Sequence, residues 1–162
     1  MSPKASVLVV ANRTADSAEL ITALRQRVAR SPACFSLLVP AVPRGLAWAA
    51  DMKAGKNDAV ARAEACLRRL RLAGLDMEGG IVGDPDPFAA VGDALRSGEF
   101  DEVIVSTLPR GASRRLRLSL PDRLRRATDV PVTHVVTAHP GRLHRAIRRR
   151  QPLGPALPRT LS

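Results

Sequence analysis

The sequence predicts a doubly wound α/β domain: a five-stranded parallel sheet with helices on both faces. Three observations carry this reading. Short runs rich in Val and Leu recur along the chain, as expected of strands buried on both faces. Between them lie segments whose apolar residues repeat at helical spacing, the pattern of helices lying on a sheet. The 162 residues suffice for one domain with a sizeable core and are too few for two ordinary ones. Regular alternation of strand and helix then favours parallel pairing through right-handed crossovers.

Taken in order, Ser6–Ala11 (SVLVVA) is the first strand and Asn12–Ala15 the loop after it. Asp16 with Glu19 reads as a capping box for a helix that places Leu20, Leu24 and Val28 on one face and ends at Ser31-Pro32. Cys34–Val39 (CFSLLV) is the second strand. Pro40–Asn57 is a looser connection, and Asp58 is the expected cap of the next helix. Its inner face is Val60, Ala63, Leu67 and Leu70; Arg62, Arg68, Arg69 and Arg71 are expected to point largely outward. Gly74 terminates it. Met77–Val82 is a weaker third strand, followed by the turn Gly83-Asp84-Pro85. Asp86-Pro87 starts a helix with Phe88, Val91 and Leu95 as its stripe and Gly98 at its end. Glu102–Ser106 is the fourth strand and Thr107–Leu118 a loop. Ser119 and Asp122 form a capping-box pattern before a helix through Arg126, and Val132–Thr137 is the fifth strand. The folded domain is residues 1–138; residues 139–162 are expected to form a basic, flexible tail. In a sheet of this kind ligands bind beyond the carboxyl ends of the strands, where the strand order reverses. Here that means Ala11–Thr14 and Ser106–Ser119.

Composition narrows the function. Aromatic residues are almost absent, with Phe35, Phe88, Phe100 and Trp48 and no Tyr. Sequence-tolerant binding of single-stranded nucleic acid usually needs aromatic platforms, which are missing here. The formal net charge is +11, and residues 139–162 contribute six arginines and no acid to it. Such a basic surface attracts phosphates, nucleic acid or anionic lipid, although solvated arginines are the commoner use of such residues. Cys34 and Cys66 are isolated, which fits buried structural thiols rather than a disulfide framework or a zinc site. No signal-peptide pattern and no membrane-length apolar run is evident, so a cytoplasmic protein is expected.

Several local motifs together resemble the universal stress protein family. Gly83-Asp84-Pro85 occupies the place of that family's Gly-(Asp/Glu)-Pro turn. Val103–Ser106 matches its fourth strand, and Leu116–Val132 (LRLSLPDRLRRATDVPV) its last helix and the Pro-Val that opens the last strand. The resemblance spans residues 5–138 and implies a Rossmann-like fold. Nucleotide-binding members of the family carry a Gly-x2-Gly-x9-Gly-(Ser/Thr) loop after the fourth strand. In this sequence those positions fall on Leu108, Gly111, Leu118 and Ser119, so only Gly111 and Ser119 match. The acid commonly found at the end of the family's first strand corresponds to Asn12. Leucine tolerates neither the positive φ nor the close backbone approach that glycine permits. Arg110, Arg114, Arg115 and Arg117 offer forked hydrogen bonds to phosphate in place of a backbone cradle.

Each candidate has a plainer alternative. Gly111 is a phosphate-cradling glycine or an ordinary turn glycine. Ser119 touches a phosphate or serves only as a helix cap, and Trp48 covers a ligand or packs on the domain. His134, His139 and His144 recur at a spacing that suits neither face of a helix nor of a strand, which argues against a metal site. Ala54-Gly55-Lys56-Asn57 lacks the residues of a P-loop. No catalytic constellation stands out.

The leading expectation is therefore a regulatory or binding domain, not an enzyme. It would hold ATP, AMP or another phosphorylated small ligand at Asn12, Gly111, Arg114 and Ser119, with no metal beyond the Mg²⁺ that accompanies a nucleotide. The resemblance implies a homodimer through the last strand, Val132–Thr137. The alternative is an interaction module that binds no nucleotide and meets an acidic protein, nucleic acid or a membrane surface through its arginines. A nucleotide-hydrolysing enzyme ranks third.

Overall fold

The computed structural model describes residues 3–41, 51–109 and 119–138, with side chains in the middle segment from residue 57 onward. Trp48, Arg110, Gly111, Arg114, Arg115, Arg117, Leu118, His139, His144 and the basic tail lie outside the described residues. The elements are β1 (Ala5–Val10), α1 (Ala18–Arg30), β2 (Ala33–Pro40), α2 (Asp51–Leu72), β3 (Met77–Gly83), α3 (Pro87–Ser97), β4 (Glu102–Thr107), α4 (Leu120–Ala127) and β5 (Val132–Val136). All five strands are parallel, in the order β3-β2-β1-β4-β5. The doubly wound sheet is as the sequence predicts.

The sheet separates two apolar layers by the alternation of side chains along each strand. Val7, Val9, Phe35, Leu37, Val39 and Ile104 pack with Leu20 and Leu24 of α1 and with Ala63, Cys66 and Leu70 of α2. Leu8, Val10, Leu38, Val103 and Val105 pack with Ala90, Val91 and Ala94 of α3 and Leu124 of α4. Thus α1 and α2 cover one face, and α3 and α4 the other. Burial raises the Cys66 thiol pKa to about 12, so it stays protonated and inert at neutral pH. Cys34 is half-buried; desolvation pushes its thiol up as well.

Two capping expectations differ in outcome. Ser119 caps α4 as expected: its hydroxyl accepts from Asp122 N at 3.2 Å, and the Asp122 carboxylate accepts from Ser119 N at 3.4 Å. At α1 the cap is Ser17, not Asp16: Ser17 Oγ accepts from Leu20 N at 3.2 Å. Asp16 is drawn inside instead, where it pairs with Arg69 of α2. The second helix also begins earlier than Asp58, at Asp51, and its inner face is Ala59, Ala63, Cys66, Leu67 and Leu70, while Val60 is exposed. Gly74 ends it in the left-handed region at φ 83°.

The Gly83 of the Gly-Asp-Pro turn has a packing reason. A Cβ there would lie 2.7 Å from Ala90 Cβ and 2.9 Å from Leu38 Cδ1, so α3 sits directly on the glycine. Gly83→Ala is expected to cost about 1–3 kcal/mol in urea unfolding, the usual penalty of overpacking. Gly79→Ala, where a Cβ meets nothing within 4 Å, is the matched control and should change stability far less.

Candidate functional site

The strand order reverses at β1: the chain moves outward through β2 to β3, then returns to place β4 on the other side of β1. The loop after β1 leads to α1 on one face, and the segment after β4 leads to α4 on the other. The carboxyl edge between β1 and β4 is the location at which such folds hold ligands.

Residues 12–17 form the β1 side of this edge, and α2 clamps them. Arg62 Nη1 donates to Asn12 Oδ1 at 2.8 Å, and Arg69 Nη1 lies 3.3 Å from Asp16 Oδ2. The Asp16 side chain is only 3% exposed, so its charge is balanced inside the protein rather than by water. Arg62 and Arg69 are seven residues apart, two helical turns, and therefore reach the loop from the same side of α2. The sequence-based expectation that both point outward is corrected here: each borders the buried stripe of Ala59, Ala63, Cys66 and Leu70. Helical spacing alone places them at that border; what the spacing does not reveal is that residues 12–16 wait opposite.

On the β4 side, three hydroxyls close on one another and a fourth meets a backbone carbonyl. Thr14 Oγ1 donates to Ser106 O at 3.1 Å. The Thr137 hydroxyl bonds with both Ser17 Oγ and Ser106 Oγ, each at 3.2 Å. All four residues are buried. Thr137 N donates to Thr107 O at 2.8 Å, and Glu19 accepts from Ala138 N at 3.2 Å. The chain beyond β5 is thereby fastened to the first turn of α1. Thr14 and Ser106 fall within the segments the sequence marks for ligand, and Thr137 within the strand it marks for the dimer, but their meeting with Ser17 is not legible there, because separate loops must fold before these groups meet.

Of the four candidate residues, Asn12 and Ser119 are described, and different elements hold them. Asn12 is half-buried against α2. Ser119 has its acceptor on Asp122 N and its hydroxyl proton on the Asp122 carboxylate. That carboxylate already complements the positive end of α4, the feature a phosphate would use. Ser119 thus serves as a cap. Gly111 and Arg114 lie outside the described residues. His134 Nε2 bonds with Thr107 Oγ1 at 2.7 Å, and among the described residues no group of three His, Cys, Asp or Glu is placed to hold a metal. Among the same residues no helix is long and apolar enough to cross a membrane.

These features define a doubly wound α/β domain whose switch point falls between the ends of β1 and β4. The structure is similar to a crystal structure of a universal stress protein in complex with cAMP, with a TM-score of 0.51 and 22% identity, over 83% of this chain and 100% of that one. That likeness supports the fold and the strand order. No protein-family model matches the chain. No curated protein matches it either.

The hydroxyl cluster makes a direct stability claim. Thr137→Val keeps the side-chain shape but removes the group that Ser17 and Ser106 share. The expected loss is about 1–3 kcal/mol, the cost of leaving buried polar groups without a partner, read from denaturant midpoints at unchanged m-value.

Proposed function

We propose that this chain is a regulatory, ligand-binding domain of universal stress protein type, which holds an adenine nucleotide or a related phosphorylated small molecule and does not turn it over. The observation that carries this reading is the sheet order, which sets the β1 loop and the end of β4 side by side at the switch point. The similar solved protein is complexed with cAMP, which supports an adenine nucleotide as the ligand class. In this reading Asn12 meets the nucleoside, and Gly111 with Arg114 meets the phosphates in the segment between β4 and α4. ATP would arrive with Mg²⁺.

The test is titration calorimetry with AMP, cAMP and Mg²⁺-ATP. Micromolar binding is expected, weakened about 10- to 100-fold in Arg114→Ala, the loss of one charge-assisted phosphate contact. Absence of heat at millimolar nucleotide sinks the reading, and steady release of phosphate from ATP sinks its non-catalytic part. The interaction-module reading then takes its place. One observation favours it: the switch-point hydroxyls are satisfied by each other rather than turned toward a ligand. Its arginines would meet an acidic protein, nucleic acid or a membrane surface.

We also assign a homodimer contact to the last strand. β5 ends the sheet on one side, and Val136 on it is 53% exposed. Such an edge with an apolar side chain favours pairing. Thr137 bonds inside the domain, so the contact narrows from Val132–Thr137 to Val132–Val136. Sedimentation equilibrium should give twice the 17.4 kDa chain mass, and Val136→Lys should give the monomer with an unchanged circular dichroism spectrum. A wild-type monomer at high micromolar concentration would remove the dimer from the reading.

A further inference from the structure

Charge is segregated along this chain into two blocks of opposite sign. Residues 72–95 hold Asp76, Glu78, Asp84, Asp86 and Asp93 and no Lys or Arg. Residues 139–162 hold six arginines and no acid, and five of the six fall in residues 141–151, between Pro140 and Pro152. The acidic block is β3 with its flanks. β3 ends the sheet on the side away from β5, and Asp76, Glu78, Asp84 and Asp86 are all exposed along it. Lys4 pairs with Asp76 at 2.8 Å. Glu78, Asp84 and Asp86 accept from a hydroxyl or from backbone N–H groups.

The edge of β3 is open. Gly83 O accepts from Ala41 N at 3.1 Å, so Gly83 and, by alternation along a parallel strand, Ile81 face β2. The backbone groups of Gly80 and Val82 then point out of the sheet, where no described strand pairs with them. Natural edges are blunted by lysine, proline or a bulge. β3 has an irregular register opposite Phe35 and Ser36, but residues 79–83 carry no charge and no proline.

We infer that residues 141–151 of the same chain dock along the open edge of β3 as an added strand, with their arginines against the acids that flank it. Backbone pairing supplies the affinity of such an addition, and charge fixes its place. The reach suffices. Four interstrand gaps separate β5 from β3, about 19 Å at the usual spacing. About six or seven extended residues cover that distance, so the chain leaving Ala138 arrives at the carboxyl end of β3 near Arg145. From there it runs antiparallel to β3, which carries Arg145 past Asp84 and residues 148–150 toward Glu78. The tether holds the segment at an effective concentration of about millimolar, so a modest contact is enough. The inference stands apart from the nucleotide reading.

Amide exchange of the isotope-labelled full chain at low salt, read by NMR, tests it. The N–H groups of Gly80 and Val82 are expected to be protected, although the described sheet offers them no acceptor. Arg148→Glu, Arg149→Glu and Arg150→Glu together should speed their exchange at least about tenfold, while Ile81 and Gly83, which face β2, stay unchanged as internal controls. Glu78→Lys should do the same, and adding it to the three arginine reversals should restore part of the protection. Circular dichroism establishes that each variant is folded. If the triple variant does not fold, Glu78→Lys and the wild-type rates decide. Exchange of Gly80 and Val82 in wild type at the rates of unprotected peptide overturns the docking. So does protection that the triple variant leaves intact. Protection that rises with protein concentration overturns it as well, and gives the edge to a neighbouring copy.

Discussion

The architecture depends on the complete burial of β1. Val7, Leu8, Val9 and Val10 are all at most 2% exposed, although successive side chains point to opposite faces. Such a strand can exist only between two neighbours and between two layers of helix. It pairs with β2 on one side and β4 on the other, and its side chains enter both apolar layers. The crossover from β3 back to β4 is thus a requirement of this strand's composition. The switch point at the carboxyl edge follows from the same requirement, because the helices that follow β1 and β4 lie on opposite faces. Fold and candidate site have one physical origin.

Around that strand, long-range polar contacts fix the edges of the sheet. Asp101 accepts from Ser6 N and donates its own N–H to Ser6 O, both at 2.8 Å, which sets the register of β4 on β1. Glu102 accepts from Arg27 of α1 at 2.6 Å and from Thr133 of β5 at 2.8 Å. The Arg27 and Glu102 side chains are 12% and 14% exposed, so this pair is largely withdrawn from solvent and its partners are hard to exchange. These contacts lie at the amino edge of the strands. The carboxyl edge is held by arginines and hydroxyls instead.

How much of this the sequence discloses depends on the range of the interaction concerned. The strands read directly, because burial on both faces leaves continuous apolar runs at β1, β2 and β4. The Ser119 cap also reads directly, since its partner is three residues away. The α1 cap does not: Asp16 and Ser17 are adjacent and both suit the position. The choice falls to Ser17 because Asp16 has a better partner in Arg69, on a helix that starts more than thirty residues later. The start of α2 is obscured by the mixed composition before Asp58. Arg62 reads as a surface arginine for the same reason that Asp16 reads as a cap: the partner of each is supplied by the tertiary fold. At the site, sequence identifies the position of Asn12 and the missing acid, while the identity of its partner needed the structure.

Set beside the pattern that the sequence resembles, Asn12 in place of an acid and leucines at 108 and 118 in place of glycines both change what a ligand would meet. A carboxylate at the end of the first strand and a glycine-lined loop after the fourth would present an acceptor at one end of the crevice and bare backbone donors at the other. This chain has Asn12 hydrogen-bonded to Arg62 after its first strand, and its sequence has leucines at 108 and 118 with arginines between them after the fourth. Backbone donors read the shape of a phosphate and require glycine for close approach. Guanidinium groups read its charge from a greater distance and tolerate bulky neighbours. Under the nucleotide reading proposed above, recognition after the fourth strand would fall to side chains rather than to backbone, because side chains are what the sequence of that segment offers.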